Sequence, residues 1–198
     1  MPLTKYKKLL WLIPLLGLLI AVPLIGRTLA YNTDSEKQTN KVEFSNVEAK
    51  IQEEFPTITS SNLQGNTLKY KKKIWVENTG TAPCFVRVYL DFSDSAVRGY
   101  SKLSQDDMNY CDYADYPSVL SDWVKGDDGY FYYTKKLEVG DGDNSITSPL
   151  LEFVETEFPS GTDPYAYDII VYSEAVQVVG SDGTVYNDYQ EAFSNFNQ

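Results

Sequence analysis

Apolar and polar side chains alternate with a period of two along much of this chain, most clearly over residues 73–92, KIWVENTGTAPCFVRVYLDF. Ile74, Trp75 and Val76 favour a strand, and Asn78-Thr79-Gly80 supplies a turn in which Gly80 is free to take positive φ. Pro83 then opens a second strand at the position where a missing N–H costs least. Cys84, Val86, Val88, Leu90 and Phe92 fall on one face of it, and Arg87, Tyr89 and Asp91 on the other. That is the pattern of a half-buried strand in an antiparallel sheet.

The same period recurs on either side. Val42 and Phe44 alternate, and Val47, Ala49 and Ile51 continue one position out of step, so Ser45-Asn46 marks a bulge or bend. Residues 56–67 are rich in Ser, Thr, Asn and Gly and read as a loop. Trp123-Val124-Lys125, the turn Gly126-Asp127-Asp128-Gly129 and the run 130–137 read as a β-hairpin. Leu150, Leu151, Phe153 and Val154 belong to a further strand, ended at Pro159-Ser160-Gly161. Residues 167–178, YDIIVYSEAVQV, are apolar on both faces and predict a central strand. Asn187 and Gln190 resemble a capping box, and Tyr189, Ala192, Phe193 and Phe196 follow with helical spacing. Short strands separated by Gly, Pro and Asn turns predict an all-β antiparallel sandwich or barrel closed by a short C-terminal helix.

Residues 93–121 are the least regular segment, with Tyr100, Tyr110, Tyr113 and Tyr116 set among Asp106, Asp107, Asp112 and Asp115. Such a loop either covers one open end of the sandwich or offers an adhesive surface, since tyrosine gives contact area and a hydroxyl at low entropic cost. The pattern favours a cover. Lys69 and Lys71 to Lys73 form a basic cluster that, in so acidic a chain, is expected to pair with neighbouring carboxylates.

The first 30 residues break the pattern. Lys5, Lys7 and Lys8 precede an uncharged apolar run from Leu9 to Gly26, and Thr28-Leu29-Ala30 places small residues where a signal peptidase cuts. The expectation is a signal helix over 1–30 cleaved between Ala30 and Tyr31, with an uncleaved anchor as the alternative and the only route to a membrane. Residues 31–41 are polar and carry no core pattern. Residues 42–198 then form one domain.

The whole chain carries 17 basic and 28 acidic groups. Without residues 1–30, which hold four of the basic groups and none of the acidic ones, the formal charge is −15. Nucleic-acid phosphates would be repelled by such a surface. There is no histidine, which removes Ser-His-Asp and Cys-His catalysis and every His-containing zinc site. Carboxylate pairs suited to glycoside hydrolysis arise by chance among 28 acids and specify nothing. Cys84 and Cys111, two thiols in an exported segment, suggest one disulfide. It would close a loop of roughly 27 residues and contribute on the order of 3–4 kcal/mol. The alternative is a buried Cys84 and a free Cys111. Calcium is the one metal the donors suit, through Asp141, Asp143 and Asn144 or through Asp127 and Asp128. Neither loop has the spacing of a dedicated calcium loop, and turn chemistry accounts for both.

Four segments, in order, resemble one family. They are TLAYNTDSEKQTNKVEFSNVEAKI (28–51), ENTGTAPCFVRV (77–88), WVKGDDGYFYYTKKLEVGD (123–141) and YDIIVYSEAVQ (167–177). Together they are similar to the TasA/camelysin-type proteins, biofilm-matrix components that Gram-positive bacteria export with a SipW-dependent signal peptide. The resemblance implies a jelly roll, processing by a dedicated signal peptidase, and secretion to the extracellular matrix or cell surface. It further implies fibres in which the freed N-terminus of one subunit inserts as a strand into the next, or into a related matrix subunit. The matching donor strand is Tyr31, Asn32, Thr33, Asp34 and Ser35. Asn32 stands where a second aromatic is common, which leaves Tyr31 as the one apolar plug. The camelysin branch has been described as a metalloprotease, but this chain has no H-E-x-x-H, so that activity is not carried over. The expectation is a non-enzymatic matrix protein. Two alternatives are a monomeric module that binds a glycan or protein through its Tyr/Asp-rich loop, and a secreted hydrolase using carboxylates.

Overall fold

A computed structural model of the chain describes residues 46–196, so the expected signal segment, the cleavage position and the donor strand lie outside the described residues. Two antiparallel sheets face each other. The first holds β1 (Ala49–Glu54), β2 (Leu63–Gln64), β3 (Thr67–Asn78), β5 (Ser101–Ser104), β6 (Cys111–Asp112) and β9 (Leu151–Glu157) in the order β1-β3-β9-β5-β6, with β2 folded back on the start of β3. The second holds β4 (Cys84–Phe92), β7 (Trp123–Lys125), β8 (Tyr130–Tyr133) and β10 (Ile169–Gln177) in the order β10-β4-β8-β7. Two helices complete it, α1 (Ser95–Gly99) and α2 (Tyr189–Phe196). The chain is thus an all-β sandwich. Among the described residues, no helix is long and apolar enough to cross a membrane.

The period of two does the work expected of it. Along β3, Tyr70, Lys72, Ile74, Val76 and Asn78 are buried, while the residues between them are at least partly open to water. Along β4, Cys84, Val86, Val88, Leu90 and Phe92 are all buried. They meet Ile74, Val76, Leu103, Leu151 and Val154 of the first sheet, with Trp123 and Phe131, in one apolar core. Full burial of each large side chain contributes roughly 1.5–3 kcal/mol.

β3 and β4 are the two strands anticipated over residues 73–92, but they do not pair with each other. The turn between them carries the chain from the first sheet to the second. Asn78 fixes that corner: its side-chain amide donates to the carbonyls of Ala82 at 2.9 Å and Glu138 at 3.0 Å, and its oxygen accepts from Gly80 N–H at 3.0 Å. Gly80 does not take positive φ. A Cβ there would sit 2.3 Å from the Asn46 carbonyl oxygen and 2.7 Å from the Glu48 nitrogen, so the glycine serves close backbone approach instead.

Three further expectations change. β10 is an edge strand rather than a central one, with Ile170 and Tyr172 each 43% exposed on its outer face. Within the irregular segment, Ser101–Ser104 forms β5, paired to β9 through Leu103 and Val154. The helix cap is shifted by one residue. Asp188 accepts from Glu191 N–H at 2.9 Å and so caps the helix, while the Glu191 carboxylate reaches back one residue further and accepts from Asn187 N–H at 2.9 Å. α2 lays Ala192 and Phe193 over Phe85 on the outer face of the second sheet.

Candidate functional site

Edges decide where a sandwich can accept another chain. On one side of this one the outermost strands are β6, of two residues, and β7, of three. On the other they are β1, of six, and β10, of nine, and these two long edges touch along part of their length. Past Glu54 the chain leaves the sheet, and residues 164–168 approach Ile169 from outside it. Between them opens a groove of about 510 Å³.

Its walls are apolar. Phe55 is 50% exposed, Tyr165 41%, and Ile58 and Leu63 38% each, with Leu68 and Ile169 deeper in. Large side chains gathered around one concavity and left in water mark an interaction surface more often than scattered exposure does. The floor is polar and fully wired. Tyr70 and Tyr167 share a hydroxyl–hydroxyl bond of 3.0 Å, Tyr167 reaches Thr156 Oγ1 at 2.7 Å, and Thr156 reaches Ser101 Oγ at 2.7 Å. Ser101 ends the chain by donating to the Val97 carbonyl at 2.8 Å. Burial pushes the Tyr70 phenol well above its ordinary range and the Tyr167 phenol up, so both stay protonated.

One cation belongs to the site. The period of β3 places Lys72 on the inward face, at the groove. Its stem is buried and its ammonium reaches out to Glu53 at 2.5 Å, 4.8 Å from the centre of the Phe55 ring. The other three members of the lysine cluster also find carboxylates: Lys69 meets Asp107, Lys71 meets Glu54 and Lys73 meets Glu152. At the rim, Tyr165 donates to Asp94 at 2.9 Å. That bond holds the Asp94 carboxyl below its usual range and pushes the Tyr165 phenol up to about 12. The groove thus offers apolar area, phenols and one ammonium, which is the equipment of a binding site.

The residues singled out in the sequence are dispersed. Cys84 and Cys111 are both free thiols, so the bridge considered for them is not formed. Cys84 lies in the core on β4, where burial pushes its thiol up to about 12. Cys111 sits on β6, the last strand of the other sheet, its sulfur 3.8 Å from the Leu103 carbonyl oxygen.

The four loop tyrosines serve mainly as cover. Tyr116 is fully buried and donates to the Leu150 carbonyl at 2.7 Å; Tyr113 donates to the Leu90 carbonyl at 2.6 Å. Tyr100 packs on Phe158, and Tyr110 is held by Asp107 at 2.7 Å with the Lys69 ammonium 4.5 Å from its ring. Asp141, Asp143 and Asn144 are exposed turn residues, while Asp128 is engaged by Arg87 at 3.1 Å. Among the described residues, no three His, Cys, Asp or Glu side chains gather as a metal-binding group. Sequence reasoning missed the groove itself. The signal was there in Phe55, Ile58 and Leu63, apolar residues stranded in a polar loop, but their partners lie a hundred residues away.

No protein-family model matches the chain, and no curated protein matches it.

Proposed function

We propose that this protein is an exported structural subunit of an extracellular matrix, built into fibres by insertion of residues 31–41 of one copy along the β1–β10 seam of the next. The observation that carries this reading is that the apolar groove opens where the sandwich's two long edges end, just past Glu54 of β1 and at Ile169 of β10. An inserted strand gains main-chain hydrogen bonds from an edge and side-chain burial from the groove, the two components of strand addition. Exchange of this kind is head-to-tail and does not close, so it propagates a filament. Part of the strand order supports the jelly roll that the family resemblance implies. β3-β9-β5 in one sheet and β10-β4-β8 in the other follow jelly-roll order, while β1 and β7 lie in the opposite sheets from those a jelly roll would give them. Tyr31 is the side chain we assign to the groove, where Phe55, Ile58 and Leu63 supply apolar contact.

The test is sedimentation velocity on chains beginning at Tyr31, with and without the paired groove substitutions Ile58→Asp and Leu63→Asp. The reading expects large assemblies from the unsubstituted chain and monomers from the substituted one, with unchanged circular dichroism. Equal assembly by both chains would overturn it.

A further inference from the structure

The outer face of the second sheet carries a row of three tyrosines that the proposed function does not use. Tyr172 of β10 is the register partner of Tyr89 of β4, and Tyr89 is that of Tyr130 of β8, so the three side chains stand in line across three strands. The rings of Tyr89 and Tyr172 are stacked, with centroids 4.9 Å apart and planes at 19°. That spacing equals the distance between neighbouring strands, so the rings rise from the sheet face to face. Tyr130 meets both edge-on, at 5.8 Å and 5.7 Å. α2 covers a neighbouring part of this face at Phe85 and Tyr132. The row lies beyond that cover, with Tyr172 43% exposed and the other two half-buried.

Two carboxylates accept from the row. The Tyr89 hydroxyl donates to Asp91 Oδ2 at 3.3 Å. The Tyr130 hydroxyl donates to Glu174 Oε1 at 2.9 Å and lies 3.4 Å from the Tyr172 hydroxyl. A phenol must lose its proton when it loses an electron, and a carboxylate hydrogen-bonded to it receives that proton without diffusion. The neighbouring Asp91 charge pushes the Tyr89 phenol up, and the bond to Tyr172, with burial and Glu174, pushes Tyr130 up. Neither is a phenolate near neutral pH, so oxidation of either has to couple proton and electron loss, which is what the two carboxylates permit.

We infer that this row is an oxidative modification site, at which a peroxide-driven one-electron oxidant joins Tyr89 to Tyr172 through a carbon–carbon bond between their ortho ring positions. Each phenol gives up one electron and its hydroxyl proton, the proton of Tyr89 passing to Asp91 and that of the exposed Tyr172 to solvent. The two radicals couple, and each ring restores its aromaticity by moving the displaced ring hydrogen to its own oxygen through solvent. The pair loses two hydrogens in all, and one hydrogen peroxide is reduced to two waters. The link pins β10, the long edge strand of the seam, to β4 and constrains that edge in the unfolded chain as any cross-link does.

The test uses the purified chain with hydrogen peroxide and a haem peroxidase, read by dityrosine fluorescence and by mass spectrometry of proteolytic peptides. A monomer lighter by two hydrogens, whose linked peptides contain Tyr89 and Tyr172, is the expected product. Tyr89→Phe and Tyr172→Phe each abolish that linked peptide. Tyr186→Phe, outside the row, leaves it unchanged, and Asp91→Asn slows its formation. With 16 tyrosines in the chain, fluorescence alone decides nothing. Linked peptides that omit either residue, links only between copies, or persistence of the same linked mass in both single variants would each overturn the assignment and leave the row a packing feature.

Discussion

Replacing Arg87 with Met removes the charge that ties three elements to β4 while keeping most of the side-chain volume. The guanidinium is only 6% exposed; it reaches Glu174 of β10 at 2.6 Å, and Asp128 of the β7–β8 turn at 3.1 Å. It also donates to the Tyr132 hydroxyl at 2.9 Å. The Tyr130 ring lies 4.2 Å from the guanidinium carbon and the α2 residue Phe193 lies 4.7 Å from it. Breaking a buried ion pair costs about 3–5 kcal/mol when the remaining charge is stranded. Here Glu174 and Asp128 are 32% and 40% exposed, so water can take up their charges, and that part falls to about 2 kcal/mol. Loss of the two close ring contacts adds about 1 kcal/mol. The sum, about 3 kcal/mol, corresponds to a fall of roughly 1.5 M in the urea midpoint for a slope near 2 kcal/mol/M. Equilibrium urea unfolding measures it, and hydrogen exchange reports whether α2 amides lose protection ahead of the core. A double-mutant cycle with Glu174→Gln should show coupling of about 1–2 kcal/mol. A midpoint shift below about 0.3 M, or no coupling to Glu174, would refute the view that Arg87 fastens β10, the hairpin and α2 together.

Other substitutions test other joints. Tyr116→Phe leaves the Leu150 carbonyl without its 2.7 Å donor and should cost about 1–2 kcal/mol in urea unfolding; a cost near zero would show that Tyr116 holds the loop by packing alone. Asp188→Ala removes the cap on Glu191 N–H and should cost about 1 kcal/mol, with lost protection confined to α2. Asp106 accepts from the backbone and side-chain N–H groups of Asn109, from Met108 N–H and from Ser104 Oγ–H, which hold its carboxyl far below the usual range. A depressed carboxyl adds stability above its ordinary value of about 4, and that stability is lost as pH falls through the folded value. Stability should therefore drop in acid below about pH 4, and Asp106→Asn should flatten part of that drop in urea midpoints taken across the acid range.

Much of the fold was legible because alternation names a buried face. β3, β4 and the β7–β8 hairpin follow from period-two runs, and the helix over Tyr189 to Phe196 from its spacing. Alternation does not name a partner. Nothing in residues 73–92 says that β3 and β4 belong to different sheets, since either arrangement buries the same side chains. β10 misled for a related reason. Ile170 and Tyr172 make its outer face apolar, but Tyr172 is satisfied sideways by stacking on Tyr89 rather than by burial under another layer. β5 was hidden by its length, four residues between a helical turn and an acidic loop. The groove was the least legible feature. It is assembled from residues 55–72 and 164–169, and each half alone reads as an ordinary loop with a few apolar members.

On the proposed function, a freed N-terminal segment drives assembly through the β1–β10 seam. Negative-stain microscopy of two chains, one beginning at Tyr31 and one at Val42, tests it most directly. Filaments from the first and isolated particles from the second are the result expected. Isolated particles from both would contradict self-assembly, and filaments from both would place the contact at some other edge.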